Sequence, residues 1–320
     1  MKQQTNITPI PLIVIAGPTA SGKTNLAVGL CRHLDGEVVS ADSMQVYETL
    51  HVGTARPTLE EQQGIPHHLL GFLPVSASYS VAKYAADAHG VIADIHHRGK
   101  VPVLCGGTGL YIQAVTENLQ YQEQSGNREI RERLRNRLET EGSAVLLEQL
   151  AQVDAQTAAR LHPNDHGRII RALELYETTG KTLSEQNAAS RSVESPYRLC
   201  GFRLEYQDRA VLYERINRRA KAMLDNGLEQ ETAWLWQQPN TDTVRQAIGY
   251  KEIAPCLEGK ITKEQALAAL QQGTRRYAKR QLSWFRHQEW LQPLYMDTDA
   301  DPLVTALARC RDFLGKEKYV

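Results

Sequence analysis

Eight consecutive residues near the start of the chain have the types and spacing of a phosphate-binding loop. They fit the pattern GxxxxGK[ST] and are Gly17, Pro18, Thr19, Ala20, Ser21, Gly22, Lys23 and Thr24. In such a loop, successive backbone N–H groups and a helix N-terminus converge on an anion. Lys23 would reach the outer phosphate oxygens, and the Thr24 hydroxyl would face a metal ion or the phosphate itself. The pattern predicts chemistry on a phosphorylated substrate and leaves open which one.

A second candidate is Asp42, which ends an apolar run in the segment SADSMQVY. A carboxylate at the carboxyl end of a strand can hold a magnesium ion, accept a proton or simply cap the following turn. In the parallel sheet predicted below, Asp42 would lie opposite the phosphate loop, beside Ser43 and Gln45, which can bind polar groups. We interpret Asp42 as a functional residue, with capping as the alternative.

The C-terminal third carries two basic segments. A helix predicted over residues 208–224 places Arg215, Arg218 and Arg219 beside an apolar face. Arginines near a phosphate loop suggest a diphosphate clamp, whereas the alternative is a solvated face paired with glutamates such as Glu214. The later segment TRRYAKRQLSWFR interleaves basic and aromatic side chains. That pattern suits an RNA backbone with unstacked bases, and equally an amphipathic helix with a charged exterior.

The elements that must position these groups form an α/β pattern. Three apolar runs, IVIAG, EVVSAD and VPVLCGGTG, end in polar or glycine-rich turns, and helical sequence such as residues 79–98 separates them. This alternation predicts βαβ units whose carboxyl edge gathers the phosphate loop, Asp42 and Thr108. We predict an α/β fold with a P-loop-containing parallel sheet flanked by helices.

The strand signals stop between about residues 118 and 195. Charged helical segments such as REIRERLRNRLETEG and GRIIRALELYETTGK fill this region, and YRLCGFRLE then resumes strand character. We predict an inserted all-helical domain over residues 118–195. The P-loop core domain would comprise residues 1–117 and 196–320, with a helical C-terminal part.

Composition indicates an ordinary globular protein. The 37 basic and 37 acidic residues balance, so there is no overall basic footprint for nucleic acid. The five cysteines lack CxxC spacing, which argues against a zinc site or a disulfide framework and fits a reducing cytoplasm. No apolar run approaches the ~20 residues that span a bilayer, so we expect no membrane insertion. His67 and His68 lack a third ligand at metal spacing, and we expect a structural role for both.

Several motifs in order resemble one family, the tRNA dimethylallyltransferases, also called tRNA isopentenyltransferases. They are GPTASGKT, SADSMQVY, VGTARP, PHHLL, GGTGLY, HPND with RIIRALE, QAIGYKE and TRRYAKRQLSWFR, and they extend over nearly the whole chain. The resemblance implies transfer of a dimethylallyl group from dimethylallyl diphosphate to N6 of the adenine 3′-adjacent to the anticodon. The implied tRNAs read codons that begin with U, diphosphate is released, and Mg²⁺ assists. We expect a bacterial-type, cytoplasmic, monomeric enzyme that binds the tRNA anticodon stem-loop.

The resemblance also implies roles for matching residues. Asp42 would take the proton from the adenine amine, and Thr24 would lie beside the donor and the metal ion. Lys23, Arg219 and the loop amides would hold the diphosphate. The residues implied to contact tRNA are Asp42, Ser43, Met44, Gln45, Thr108, Arg131, Gly167, Arg168, Ile169, Ile170, Arg171, Arg245, Gln246, Ala247, Ile248, Gly249, Tyr250, Lys279, Arg280, Gln281, Trp284 and Arg286.

Two positions depart from the family pattern. Glu48 stands where the family usually has a basic residue, and Gly71 stands where it usually has aspartate. Neither departure removes a proposed catalytic group.

Two functions from other classes compete with this interpretation. A small-molecule kinase would use the same loop for a nucleoside triphosphate and Asp42 for magnesium or hydroxyl activation. An RNA-binding or GTPase-like switch would need a strong Walker-B run, an apolar strand ending in aspartate, which the sequence after the loop does not convincingly supply.

Overall fold

The computed structural model of the chain describes residues 9–120, 127–191 and 193–315. Its contacts divide the chain into two compact units. The first comprises Met1–Thr116 and Ser195–Val320, and the second comprises Glu117–Glu194. The division falls next to the boundaries expected at residues 118 and 195, so two segments distant in sequence form the first unit.

A parallel sheet of six strands organises the first unit. In chain order the strands are β1 (Ile10–Ala16), β2 (Gly36–Ala41), β3 (His67–His68), β4 (Val101–Gly106), β5 (Tyr197–Glu205) and β6 (Leu291–Tyr295). Their spatial order is β3, β2, β4, β1, β5, β6, and every pairing is parallel. The segments after β1, β2 and β4 therefore meet at one edge of the sheet. This arrangement confirms the predicted α/β class.

The C-terminal third, predicted as helical, also contains one strand that the sequence analysis did not predict, because β6 extends the sheet there. β6 pairs with β5 from Gly201 opposite Leu291 to Glu205 opposite Tyr295. The strand has only five residues and includes Pro293, which has no N–H to donate to a neighbouring strand. Proline is tolerated because β6 lies at the edge of the sheet, and its presence hides the strand in the sequence.

Helices account for most of the remaining described residues. Before the second unit they are α1 (Lys23–Leu34), α2 (Leu59–Gln62), α3 (Val81–His97) and α4 (Gly109–Thr116). Within it they are α5 (Arg128–Glu141), α6 (Ser143–Val153), α7 (Ala155–Ala158), α8 (His166–Thr179) and α9 (Leu183–Ser190). After it they are α10 (Arg209–Asp225), α11 (Leu228–Gln237), α12 (Asp242–Arg245), α13 (Tyr250–Leu257), α14 (Lys263–Arg286) and α15 (Pro302–Leu314). None of the helices in the described part of the chain has both the length and the apolar character needed to cross a membrane.

Alternate residues of β1 belong to hydrophobic cores on opposite faces of the sheet. Leu12 packs in a cluster with Tyr84 of α3, whereas Ile13 packs in a cluster with Leu30 of α1. All four side chains are fully buried. Because successive side chains of a strand point to opposite faces, this packing fixes β1 from both sides. The phosphate loop thus begins from a rigid support.

A third core joins the segment after β2 to the C-terminal helices. Val46 and Leu50 pack with Leu228 of α11, Tyr250 of α13 and Leu270 of α14. The segment that carries Asp42 is therefore fixed against the helices that carry the basic side chains.

The second unit has a core of its own, and a buried ion pair lies beside it. The Glu174 side chain is 1% exposed and pairs with Arg131 at 2.9 Å and Arg171 at 3.4 Å. A buried carboxylate is costly unless it is paired, so both arginines have a structural role here. Their implied contacts with tRNA stay predictions.

We expect Gly106→Ala to destabilise the first unit. A Cβ at Gly106 would lie 2.1 Å from the carbonyl oxygen of Ala41 in the neighbouring strand. Two paired backbones cannot move apart without losing their hydrogen bonds, so the free energy of unfolding should fall by about 2 kcal/mol or more. Urea unfolding followed by circular dichroism measures this change.

Gly90→Ala provides the matched control. Gly90 lies inside α3, and a Cβ there would meet no atom within 4 Å. Alanine should raise the stability by up to ~1 kcal/mol, because glycine is the weaker helix former. Equal effects of the two substitutions would contradict the steric argument.

Candidate active site

The phosphate loop has the shape of an anion cradle. Gly22 adopts φ 93° at the start of α1, a conformation that favours glycine, and α1 has no side-chain cap at this end. The first N–H groups of α1 therefore remain available to an anion. Behind the loop, the Tyr206 hydroxyl donates to the Ser21 carbonyl oxygen at 3.2 Å. This hydrogen bond supports the loop, while the uncapped N–H groups of α1 stay available to an anion.

Lys23 folds back onto its own loop. Its Nζ donates to the Pro18 carbonyl oxygen at 2.7 Å. The pKa of Lys23 is lowered to about 8, chiefly by burial. The nearby Arg219 contributes to this lowering, whereas Cys105 and Asp42 oppose it. A bound anion would favour the protonated amine and offer it stronger acceptors than a carbonyl.

The three arginines of α10 have different surroundings. Arg219 donates from Nη1 to Thr19 Oγ1 at 3.4 Å and from Nη2 to the Ala55 carbonyl oxygen at 3.1 Å. Arg215 donates from Nε to the Ala20 carbonyl oxygen at 2.8 Å. In contrast, Arg218 is 74% exposed and pairs with Glu214 at 2.9 Å. The diphosphate clamp therefore fits Arg215 and Arg219, while the solvated-face alternative describes Arg218.

Asp42 caps its turn and still presents a free oxygen. Its Oδ1 accepts from the backbone N–H groups of Met44 at 2.9 Å and Gln45 at 3.3 Å. Within the described ranges, Oδ2 accepts no hydrogen bond. The carboxylate also raises the pKa of both Lys23 and Arg219, which places its charge near both cations. Capping and a functional role of Asp42 are therefore compatible. The hydrogen bonds to Oδ1 fix the orientation of the carboxylate and leave Oδ2 available.

A buried glutamine links α14 to two loops of the site. Gln281 is 6% exposed; its Oε1 accepts from the Thr19 N–H at 2.9 Å and its Nε2 donates to the Gly107 carbonyl oxygen at 2.8 Å. A Cβ at Gly107 would lie 2.4 Å from that Nε2. Because Gly107 has no side chain, Gln281 can approach its carbonyl oxygen. The predicted contact of Gln281 with tRNA stays a prediction.

One cavity of about 1600 Å³ joins these groups in the first unit. Its lining includes the predicted residues Thr19, Ala20, Ser21, Gly22, Lys23, Thr24, Asp42, Ser43, Met44, Gln45, Arg219, Gln246, Ala247, Ile248, Tyr250, Arg280 and Gln281. A phosphate cradle, a carboxylate and buried cations thus share one space that also has apolar walls.

The other residues implied to contact RNA have varied environments. Lys279 and Trp284 are exposed on α14. Arg245 stacks over the Trp236 ring and donates to the Trp236 and Gln238 carbonyl oxygens. Arg286 pairs with Glu205. Thr108 accepts from the Ser43 N–H at 3.0 Å and so supports the turn that carries Asp42.

In the second unit, the segment implied to bind RNA presents only some of its side chains. Gly167 and Arg168 are exposed, whereas Ile169 and Ile170 lie in that unit's core. Any contact of the two isoleucines with RNA would have to use their backbone, and all of these contacts stay predictions.

The two histidines of β3 have the structural surroundings expected for them. His68 Nε2 lies 2.7 Å from Glu37 Oε2, and Arg98 also pairs with Glu37. Hydrogen bonds from Arg98, opposed by burial, lower the pKa of Glu37 to about 2. His67 Nδ1 lies 2.9 Å from the Ile65 carbonyl oxygen. Among the described residues, no group of three or more His, Cys, Asp or Glu side chains is placed to hold a metal ion.

Comparison with known proteins shows the family of the chain. A model of the family described as IPP transferase matches residues 45–288. The chain belongs to the IPP transferase family. A tRNA dimethylallyltransferase of Caldanaerobacter subterraneus subsp. tengcongensis is 44% identical over 291 residues, which are 90% of this chain and 92% of that one.

Solved structures of IPP transferases agree with this assignment. The tRNA isopentenylpyrophosphate transferase of Bacillus halodurans has a TM-score of 0.69 at 38% identity, over 95% of this chain and 98% of that one. A eukaryotic dimethylallyltransferase acting on tRNA has a TM-score of 0.77 at 30% identity, over 95% of this chain and 79% of that one.

Sequence reasoning named Gln281 only as an implied contact with tRNA and missed its hydrogen bond with the phosphate loop. The motif around Gln281 is visible in the sequence, but its partner Thr19 lies 262 residues away. Nothing in the local pattern predicts that pairing.

Proposed function

We propose that this IPP transferase moves the dimethylallyl group of dimethylallyl diphosphate to N6 of the adenine 3′-adjacent to the anticodon in tRNAs that read U-starting codons. The observation that carries the proposal is the free Oδ2 of Asp42 in the same cavity as Lys23, Arg219 and the phosphate loop. In this proposal the base serves the N6–C bond that forms, and the anion cradle serves the C–O bond that breaks.

Asp42 acts at the nucleophile. An exocyclic adenine amine is a poor nucleophile because its lone pair is delocalised into the ring. As the N6–C bond forms, Asp42 Oδ2 accepts a proton from the amine, which helps the reaction. Oδ1 keeps its bonds to the Met44 and Gln45 N–H groups, so the carboxylate is already oriented.

The phosphate loop acts at the leaving group. As the allylic C–O bond breaks, its electron pair goes to the diphosphate oxygen. The loop N–H groups, Lys23 and Arg219 stabilise that growing charge. The loop thus holds a departing diphosphate and transfers no phosphoryl group.

Thr24 is the residue proposed to bind Mg²⁺. Thr24 lines the cavity next to Lys23, and a magnesium ion that is held mainly by phosphate oxygens and water needs few protein ligands. The donor set therefore fits the ion. When bound, Mg²⁺ would supply further positive charge for the leaving diphosphate.

The anticodon stem-loop is the proposed macromolecular substrate. Lys279, Arg280 and Trp284 give α14 an exposed basic and aromatic surface, which suits phosphates and an unstacked base. The target adenine must leave its stack to enter the cavity, at a cost of a few kcal/mol that is lowest in a single-stranded loop. We further propose that the protein acts as a cytoplasmic monomer.

Nucleoside analysis tests the proposal against the competing functions. Unmodified tRNA incubated with the protein, Mg²⁺ and dimethylallyl diphosphate should yield N6-dimethylallyladenosine and an equal amount of diphosphate, measured by mass spectrometry. Phosphoryl transfer from ATP to a small molecule would favour the kinase, and RNA-stimulated nucleotide hydrolysis would favour the switch. Either result without dimethylallyladenosine would overturn the proposal.

We expect donor binding to weaken as the pH rises through the pKa of Lys23, about 8. Only the protonated amine attracts diphosphate, so the neutral form that accumulates above this pH binds less well. KM for the donor should rise by up to ~10-fold per pH unit above the pKa. A bound donor stabilises the ammonium, so kcat should change at a higher pH than KM does.

The control for this pH dependence is Lys23→Met, whose KM should be high at every pH. A rise of KM with pH that persists in Lys23→Met would assign the titration to another group.

A further inference from the structure

Glu231 of α11 binds three consecutive backbone N–H groups. Its Oε2 accepts from His51 at 2.8 Å and Val52 at 2.9 Å, and its Oε1 accepts from Gly53 at 2.8 Å. The Tyr250 hydroxyl also donates to Oε1, at 2.7 Å. Successive N–H groups directed at one point form a concave site for an anion, and here a side-chain carboxylate fills it.

The segment held in this way, residues 51–55, is a tight turn against Tyr250. A Cβ at Gly53 would lie 2.5 Å from Tyr250 Cζ, so a side chain at this position would displace the turn. Ala55 adopts φ 47°, a conformation that favours glycine and that its surroundings must impose. The Ala55 N–H donates to the Val52 carbonyl oxygen at 3.0 Å, which closes the turn.

The far end of the turn contacts the candidate active site. The Ala55 carbonyl oxygen accepts from Arg219 Nη2 at 3.1 Å. Gln45 Nε2 donates to the carbonyl oxygens of Thr54 at 3.1 Å and Ala55 at 3.2 Å. Gln45 is also the residue whose N–H binds Asp42 Oδ1. The 51–55 turn therefore contacts Arg219, the cation proposed to bind the leaving diphosphate. It also contacts Gln45, whose N–H helps to orient Asp42.

From this geometry we infer that Glu231 is a positioning residue, which holds the 51–55 turn so that its carbonyl oxygens orient Arg219 and Gln45. The inference rests on the proposed function, because it assigns Arg219 to the diphosphate. Without the carboxylate, three adjacent N–H groups lose their acceptor and the imposed conformation of Ala55 is no longer supported. Arg219 would then lose one of the two contacts that fix its guanidinium.

Glu231→Gln tests the inference with little change in shape. The amide can accept from some of the four donors, but its NH₂ group must then face a donor. We expect the Kd of inorganic diphosphate, measured by calorimetry, to rise by about tenfold, and kcat/KM for dimethylallyl diphosphate to fall between about tenfold and 10²-fold. The Kd of tRNA should change by less than about threefold. Glu231→Asp keeps the charge and should recover part of the loss.

Glu229→Gln is the matched control. Glu229 lies on the same helix and pairs with Lys263 at 2.7 Å, away from the turn, so its substitution should leave both constants unchanged. A purely structural role of Glu231 would lower the melting temperature and leave diphosphate Kd and donor kcat/KM unchanged in folded protein. That result would overturn the inference.

A double-mutant cycle tests the route through Arg219. In an Arg219→Ala background, Glu231→Gln should lower donor kcat/KM by less than it does in the unaltered protein, because one of the two groups that it positions is gone. Fully additive losses would show that Glu231 does not act through Arg219. If Glu231→Gln fails to fold, Glu231→Asp takes its place in both comparisons. Absence of dimethylallyladenosine with the unaltered protein would overturn the proposed function, while the diphosphate Kd would still decide the role of Glu231.

Discussion

Replacing Asp42 with asparagine should lower kcat by at least ~10²-fold, the usual contribution of a general base, while the Kd of tRNA stays nearly unchanged. Asparagine tests the role of the base more specifically than alanine does. Its side-chain oxygen can still accept from the Met44 and Gln45 N–H groups, so the turn that Asp42 caps is preserved. Single-turnover transfer of a labelled dimethylallyl group to tRNA measures the chemical step directly.

Two further substitutions separate the role of Asp42 as a base from its role as a cap of the turn. Asp42→Ala removes both functions, so it should add a loss of stability to the loss of kcat. Glu48→Gln neutralises an exposed carboxylate a few residues later on the chain and should leave kcat unchanged. Near-normal turnover by the asparagine variant would remove Asp42 from the reaction and leave it as a cap alone.

Replacing Lys23 with methionine should lower kcat/KM for dimethylallyl diphosphate by ~10²-fold to 10³-fold, the range found when one donor to a developing anion is removed. Methionine keeps the apolar stem of the side chain and removes the ammonium. The variant loses the hydrogen bond from Lys23 to the Pro18 carbonyl oxygen, but the loop should keep its shape, because Gly22 and the contacts of Ser21 and Ala20 remain. Initial rates over a range of donor concentrations, at fixed tRNA, measure this effect.

Arg218→Ala is the control for the loss of positive charge near the site. Arg218 lines the rim of the same cavity, but it is 74% exposed and pairs with Glu214 on the same helix, so donor kinetics should change far less than in the Lys23 variant. An equal loss in the Arg218 and Lys23 variants would point to a diffuse electrostatic effect. Unchanged turnover by the Lys23 variant at all donor concentrations would contradict the diphosphate cradle.

The sequence determined those features whose causes are local. The phosphate loop needs a glycine at a left-handed position and a lysine next to it, and both belong to one short motif. β1, β2 and β4 are short apolar runs buried on both faces, which composition reveals directly. The second unit is helical because its apolar residues repeat at helical spacing. The family could also be named from the order of its motifs.

The tertiary structure decided what depends on partners far apart in the chain. Helical periodicity placed Arg215, Arg218 and Arg219 on one helix, but only packing shows that Arg219 contacts Thr19 while Arg218 faces solvent. β6 became visible only through its pairing with β5, since a short strand with a proline has little signal of its own. A hydrogen bond such as that from Thr19 to Gln281, or the binding of the 51–53 N–H groups by Glu231, leaves no periodic pattern. These contacts require the whole chain to be folded, because neither partner can be recognised from its own neighbours.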